Sequence, residues 1–344
     1  MRIKMAELFC GAGGIGLGAT LSHVGDLSYE HIWATDYDKD ACETYQYNLH
    51  PQKIICQDIR KLDFEKLKQY GNIDCLTFGF PCNDFSVVGE KKGVNGVFGA
   101  LYQYCAKALH VFKPKFFVAE NVGGLKNANE GKAFNKVLSS FEEEGYKLFP
   151  NLYQFDKYGV PQKRQRIIIV GIRKDLPYLF KIPSYKKYEN VDISVRTALK
   201  DVENALYNNE RTKQSPIVIE RLKYIKEGEN AFNSNLPPEL QLNIKGAKIS
   251  QIYRRLKADE PSYTITASGG GGTHVYHYAE NRALTNRERA RIQSFPDDFI
   301  FKGSKESVRK QIGMAVPPQG VKVIFEALLK TIAGIDYDSI PGKV

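Results

Sequence analysis

Leu8-Phe9-Cys10-Gly11-Ala12-Gly13-Gly14-Ile15-Gly16 is the stretch whose reading decides the fold. The apolar run Ile3–Phe9 leads into it with strand character, and Gly14–Val24 leaves it with helical spacing. Gly11, Gly13 and Gly16 therefore fit G-x-G-x-x-G between a strand and a helix, and Asp36 follows 20 residues after Gly16 at the end of the next apolar run. Glycines at such a turn let the backbone approach a nucleotide-like ligand, and a carboxylate at the second strand tip accepts hydrogen bonds from ribose hydroxyls. The pattern serves NAD and S-adenosylmethionine equally well.

Working outward, the first half of the chain alternates between two periodicities. The runs His31–Thr35, Lys53–Cys56, Ile73–Phe78, Phe116–Ala119 and Ile167–Gly171 are short and partly β-branched, as buried strands are. Between them Asp38–His50, Leu101–Phe112 and Lys132–Gly145 carry helical spacing. Strand and helix in alternation predict an α/β fold with a doubly wound, Rossmann-like sheet and ligands at the carboxyl ends of its strands. After Arg173 the texture changes to Pro, Asn, Tyr and Lys with few clean periodicities, and helical spacing returns with Val321, Ile324, Phe325, Leu328, Leu329 and Ile332 on one stripe. The expected organisation is a catalytic and cofactor-binding domain at 1–180 plus 309–344, with a smaller irregular domain at 181–308.

The 344 residues hold 49 Lys and Arg against 39 Asp and Glu, a net charge of +10, of which residues 181–308 contribute +5. Such a balance permits a polyanionic partner without requiring one. With 42% hydrophobic residues the chain can bury a large core, which excludes disorder as a description of the whole. No window approaches 18 uninterrupted apolar residues, no secretory leader is recognisable, and the expected location is the cytoplasm. Six cysteines stand at 10, 42, 56, 75, 82 and 105 without a Cys-x-x-Cys pair, so neither a disulfide framework nor a metal site is expected.

One cysteine stands apart. Gly79-Phe80-Pro81-Cys82-Asn83-Asp84-Phe85-Ser86 follows the strand Ile73–Phe78 and places Cys82 on a loop at the carboxyl edge of the sheet. A thiol there is a candidate nucleophile, whereas Cys10, Cys42, Cys56, Cys75 and Cys105 read as small buried hydrophobes. Ala119-Glu120-Asn121 ends another strand, so Glu120 converges on the same edge as an acid/base candidate. In Gln162-Lys163-Arg164-Gln165-Arg166, the two arginines alternate along an extended chain and are expected to face one anionic or carbonyl-rich ligand.

In this order and spacing the four motifs resemble the cytosine-C5 DNA methyltransferase family. Two C-terminal stretches agree: Arg282-Ala283-Leu284-Thr285-Asn286-Arg287-Glu288-Arg289-Ala290-Arg291-Ile292-Gln293-Ser294-Phe295-Pro296-Asp297 is similar to its ninth block, and Gln311-Ile312-Gly313-Met314-Ala315-Val316-Pro317-Pro318 to its tenth. The likeness covers about 1–172 and 282–335, and the intervening segment corresponds to the family's target recognition domain. The tRNA-acting relatives lack a sizeable segment there.

The resemblance implies a catalytic set. Cys82 adds to C6 of a cytosine extruded from duplex DNA, Glu120 bonds to N3 and the exocyclic amine, Arg166 contacts the base carbonyl and Arg164 braces the loop or a phosphate. For S-adenosylmethionine it implies Phe9, Gly11, Gly13 and Gly14 around the methionine part and Asp36 on the ribose. Tyr37 then lies by the adenine, Asp58 and Ile59 at its amine and ring, and Pro81 and Leu101 near the methyl. Expected contacts to DNA are Ser86, Lys91, Arg254, Arg255 and Gly270, with loop 83–99 closing over the extruded base. A monomer without metal, paired functionally with a cognate restriction endonuclease, completes the expectation. The chain departs from the family pattern at Met314 (usually Asn), Asn83 (usually Gln), Phe98 (often Arg) and Glu7 (usually Asp).

Overall fold

The computed structural model describes residues 1–80, 101–243, 250–270 and 272–343. Cys82, Pro81, Ser86, Lys91 and the loop 83–99 lie outside the described residues.

Among the described residues, seven strands form one sheet: β1 (Arg2–Leu8), β2 (Ser28–Asp36), β3 (Lys53–Cys56), β4 (Cys75–Gly79), β5 (Phe116–Val122), β6 (Tyr146–Gln154) and β7 (Gln165–Arg173), in the order β3-β2-β1-β4-β5-β7-β6. β1 to β5 are mutually parallel, and β7 is inserted antiparallel between β5 and β6. The order reverses at β1, so the carboxyl ends of β1 and β4 open a crevice, where open α/β sheets bind ligands.

Helices cover both faces: α1 (Gly14–Thr20), α2 (Lys39–Leu49), α3 (Tyr102–Phe112), α4 (Lys132–Glu143) and, at the far end of the chain, α8 (Pro318–Ala333). Strand alternation sorts the core. Leu8, Leu76, Phe78, Phe117, Ala119 and Ile167 pack with Cys105 and Leu109 of α3 and Phe134 and Phe141 of α4. Met5, Cys75, Phe116, Val118 and Ile168 pack with Ile15 of α1 and Val321, Ile324, Phe325 and Leu328 of α8. The apolar stripe of α8 thus meets the first half of the chain, as its spacing predicts.

The sequence reading did not anticipate β6. Its Pro150 cannot donate to a ladder, which argues against a central strand, but β6 lies at the sheet edge where a missing N–H is tolerated. Cys56 also departs from expectation: it ends an edge strand and is exposed rather than buried.

Residues between position 180 and α8 contain little regular structure apart from α5 (Pro216–Tyr224), α6 (Asn286–Ile292) and α7 (Lys305–Met314). They have apolar clusters of their own: Val195, Leu199, Leu256, Ile265 and Ile292 in one, Leu222, Ile225, Tyr253 and Tyr276 in another. α6 opens with a capping box, the Thr285 side chain accepting from the Glu288 N–H while Glu288 accepts from the Thr285 N–H. Together with the residues after it, it also bridges the two halves, since Ala290, Phe295 and Phe299 join Leu17, Tyr45 and Leu49. Among the described residues no single helix is long and apolar enough to cross a membrane.

Candidate active site

The turn after β1 makes the first wall of the site. Phe9, Gly11 and Gly13 all have positive φ (52°, 51° and 92°), so the chain folds back on itself before α1. The pocket formed there is lined by Phe9, Gly11, Gly14 and Ile15 on this side, Asp36, Tyr37 and Asp38 at the tip of β2, and Gly79 and Glu120 at the tips of β4 and β5. Asp36 is pinned to the turn: its Oδ2 accepts from the Gly11 N–H and its Oδ1 from the Asp38 N–H, both at 2.9 Å. Burial raises its carboxyl above the ordinary value, and these backbone N–H groups act in the opposite direction. Gly13 lies behind the pocket and Gly14 on its wall, and both allow close packing. A Cβ at Gly13 would meet Leu49 at 2.6 Å, and one at Gly14 would meet the Val316 carbonyl at 2.2 Å.

Glu120 stands on the same pocket wall as Gly79. It is the register partner of Gly79, the last residue of β4, from which the chain proceeds to Cys82. Oε1 of Glu120 lies 2.7 Å from Nε of Arg166 on the neighbouring strand β7, both side chains being about 85% buried. Burial raises the Glu120 carboxyl, while the positive charges of Arg166 and then Arg164 lower it. The Asn121 amide donates to the Phe80 carbonyl at 3.1 Å and so fixes the exit from β4 against β5.

The two arginines of the basic motif do not face one ligand. Arg164 is 1% exposed and donates to the Ile265 carbonyl at 3.0 Å and the Gly313 carbonyl at 3.2 Å. It precedes β7, where the chain is pairing with Ser262–Tyr263, so strand alternation does not carry across from Arg166. Arg164 braces three segments from inside, and Arg166 alone reaches Glu120.

The remaining predicted residues divide. Ile59 and Leu101 sit in the apolar cluster against which Phe9 packs. Asp58 caps the short helix Ile59–Lys61 and pairs with Arg60, whose hydrogen bonds pull its carboxyl down to about 2; it lies outside the Asp36 pocket. Arg254 stacks over the Tyr263 ring at 4.5 Å. Gly270 is exposed with open space about it. Arg255 is no reader of bases in this structure: it is 4% exposed and donates to the carbonyls of Leu222, His277 and Glu280 and to Asn281. Adjacent basic residues look alike in sequence, and only packing sends one inward.

Sequence reasoning missed the pocket's fourth wall. Lys310, Gln311, Met314, Ala315 and Val316, from α7 and the residues after it, complete the pocket lining. Lys310 Nζ bonds to Asp38 Oδ2 at 3.0 Å and lies 5.9 Å from the Tyr37 ring centroid. Its i, i+4 spacing with Met314 was the available signal. Among the described residues no group of three or more His, Cys, Asp or Glu could hold a metal ion.

A seven-stranded sheet of this order, with a glycine turn, an acidic β2 tip and a carboxylate at the β5 tip, defines an α/β methyltransferase of the S-adenosylmethionine-dependent class. Solved structures share the fold: S. pombe Dnmt2 methyltransferase superposes with a TM-score of 0.67 at 15% identity, covering 96% of this chain and 100% of that one. The Entamoeba histolytica methyltransferase EhMeth gives 0.66 at 14% identity, covering 96% and 99%. Residues 3–330 match the C-5 cytosine-specific DNA methylase family. Type II methyltransferase M.BbvI of Brevibacillus brevis is 52% identical over 100% of this chain and 95% of its own length, and M.NgoFVII of Neisseria gonorrhoeae is 40% identical over 95% and 86%. The chain belongs to the C-5 cytosine-specific DNA methylase family, and its reaction is methyl transfer to C5 of cytosine in DNA.

Proposed function

We propose that the protein methylates a cytosine within a short specific duplex site through transient attachment of Cys82 to the base, as a type II modification enzyme. The observation that carries this is the meeting of Glu120 and Arg166 at the edge of the pocket that also contains Asp36, beside the strand leading to Cys82.

The pocket fits S-adenosylmethionine by its donor set. An acidic end at Asp36 and Asp38 suits ribose hydroxyls, the Tyr37 ring suits the adenine, and Phe9, Ile15 and Val316 give an apolar flank. Open space at Gly11, where a Cβ would meet no atom within 4 Å, leaves room for the ligand against the turn. When bound, S-adenosylmethionine supplies an electrophilic methyl group on its sulfonium.

The base chemistry falls to the chain's own residues. Cytosine C5 is a poor nucleophile, and addition of the Cys82 thiolate to C6 gives it carbanion character. Negative charge moves towards N3 and O2 as the C6–S bond forms. Glu120, whose carboxyl burial biases towards the protonated form, donates to N3 and accepts from the exocyclic amine. Arg166 holds Glu120 in place and offers donors to the base carbonyl. Once C5 is methylated, loss of its proton restores the double bond and expels Cys82. The target leaves the duplex stack to reach this site, at a cost of a few kcal/mol.

We assign residues 181–308 to target recognition, with DNA in the cleft between this segment and the rest of the chain. The enzyme acts as a cytoplasmic monomer, protecting DNA from a cognate endonuclease. The test is trapping on duplexes with 5-fluorocytosine, together with transfer of tritiated methyl groups to DNA and to tRNA. Wild-type protein is expected to trap the fluorinated duplex and to label DNA, and Cys82→Ser to do neither. Labelling of tRNA alone, or labelling of DNA by Cys82→Ser, overturns the reading.

A further inference from the structure

Arg289 on α6 is 1% exposed, and none of its three guanidinium nitrogens has a hydrogen-bond partner among the described residues. A guanidinium carries five N–H donors, and leaving such a group desolvated and unpaired costs several kcal/mol. Nearby, Arg309 on α7 is half-buried, and its Nε is likewise buried without a partner. The two guanidiniums raise each other's cost, and burial followed by the Arg309 charge brings Arg289 down to about 10. His274 stands in the same field and is kept neutral, at about 4, by burial and by both arginines.

The acids within reach do not resolve the excess. Glu288 contributes its charge at Arg289 but is occupied by two hydrogen bonds from Arg282, at 2.7 and 2.8 Å, and one from the Thr285 N–H. Glu306 acts on His274 only weakly against the two arginines. Tyr263 and Tyr276 are the other polar neighbours of Arg289, and the Tyr263 hydroxyl already donates to the Arg254 carbonyl. The glycine-rich stretch borders the pair. A Cβ at Gly269 would come within 2.5 Å of Arg309 Nε, whereas Gly270 is exposed with no atom within 4 Å of such a Cβ.

We infer that Arg289 and Arg309 form a seat for one backbone phosphate of the substrate duplex, with Gly269 and Gly270 admitting the DNA strand. This rests on DNA being the substrate. What the pair lacks is a negatively charged acceptor; a neutral base edge would leave the repulsion between the arginines uncompensated. Arg309, the half-exposed member, takes the phosphate oxygens first. Arg289 adds its charge from a low-dielectric position, where it counts for more.

The test is DNA affinity of the full chain between 50 and 200 mM salt, by fluorescence anisotropy, for Arg309→Gln and Arg289→Met beside wild type. Loss of one phosphate contact lowers the salt slope by about 0.9, so the wild-type advantage shrinks about 3.5-fold over that range. The loss is the same on specific and unrelated duplexes, because a phosphate carries no sequence information. Arg289→Met is expected to melt no lower than wild type while binding DNA more weakly. Unchanged slopes in both variants overturn the seat, as does an Arg289→Met protein that loses stability and keeps its slope. Inorganic phosphate that raises the wild-type melting temperature but not that of Arg309→Gln, with DNA slopes unchanged, marks a site for free anions and rejects the DNA assignment. Trapping of 5-fluorocytosine duplex by wild type is the separate control: intact trapping with unchanged slopes refutes the seat alone.

Discussion

Replacing Glu7 by Gln is expected to stabilise the protein at neutral pH, because Glu7 is an acid in a place that disfavours its charge. It sits on β1 at 1% exposure, and its Oε2 accepts from the Tyr45 hydroxyl at 2.9 Å. Tyr45 is bonded in turn to His31 Nδ1 at 2.9 Å, and His31 Nε2 to Thr20 Oγ1 at 2.8 Å. Burial pushes the Glu7 carboxyl from 4.5 to about 8; the Tyr45 hydrogen bond lowers it and the Asp36 charge raises it. Between those two values the native protein holds a proton that the unfolded chain has released. Stability therefore falls as pH rises through this window, by about 1.4 kcal/mol per pH unit. At pH 7 the accumulated cost is about 3 kcal/mol. Glutamine keeps the shape and the acceptor for Tyr45 without the charge. With an unfolding entropy of about 0.7 kcal/mol/K for a chain of this length, Glu7→Gln is expected to melt about 4–5 °C above wild type at pH 7. The difference should vanish near pH 4.5. His31, lowered to about 4 by burial, titrates in both proteins and cancels in the difference. Thermal melts of both proteins without cofactor, from pH 4.5 to 8, make the comparison. A difference that does not vary with pH, or a wild type at least as stable at pH 7, refutes the argument.

Two further substitutions test the packing that shapes the site. Gly14→Ala places a Cβ 2.2 Å from the Val316 backbone carbonyl, a contact no rotamer can relieve. It should cost about 1–3 kcal/mol, read as a lower denaturant midpoint with an unchanged m-value. Arg255→Met removes the donor to the Leu222, His277 and Glu280 carbonyls and should destabilise the protein by about 3–5 kcal/mol. The surviving folded fraction should methylate the same DNA site as wild type; an altered site would restore Arg255 as a base reader.

The linear chain carried the elements whose determinants are local. The glycine turn at 11–16, Asp36 at the tip of β2, Glu120 at the tip of β5 and the stripe on α8 are each defined by residues within a few turns or strand steps of one another. Positive φ, strand alternation and helical spacing are short-range constraints, and they sufficed to place six of the sheet's seven strands and one edge of the pocket. Tertiary structure decided what depended on residues distant in sequence. It brought Lys310 and Met314 into one pocket with Asp36, about 270 positions away along the chain. It gave β6 an edge where Pro150 is tolerated, turned Arg164 and Arg255 inward and left Arg166 for Glu120. It also buried Arg289 beside the half-buried Arg309. The direction a long charged side chain takes is set by which carbonyls, carboxylates and charges surround it after folding, and composition or spacing alone carries no record of those neighbours.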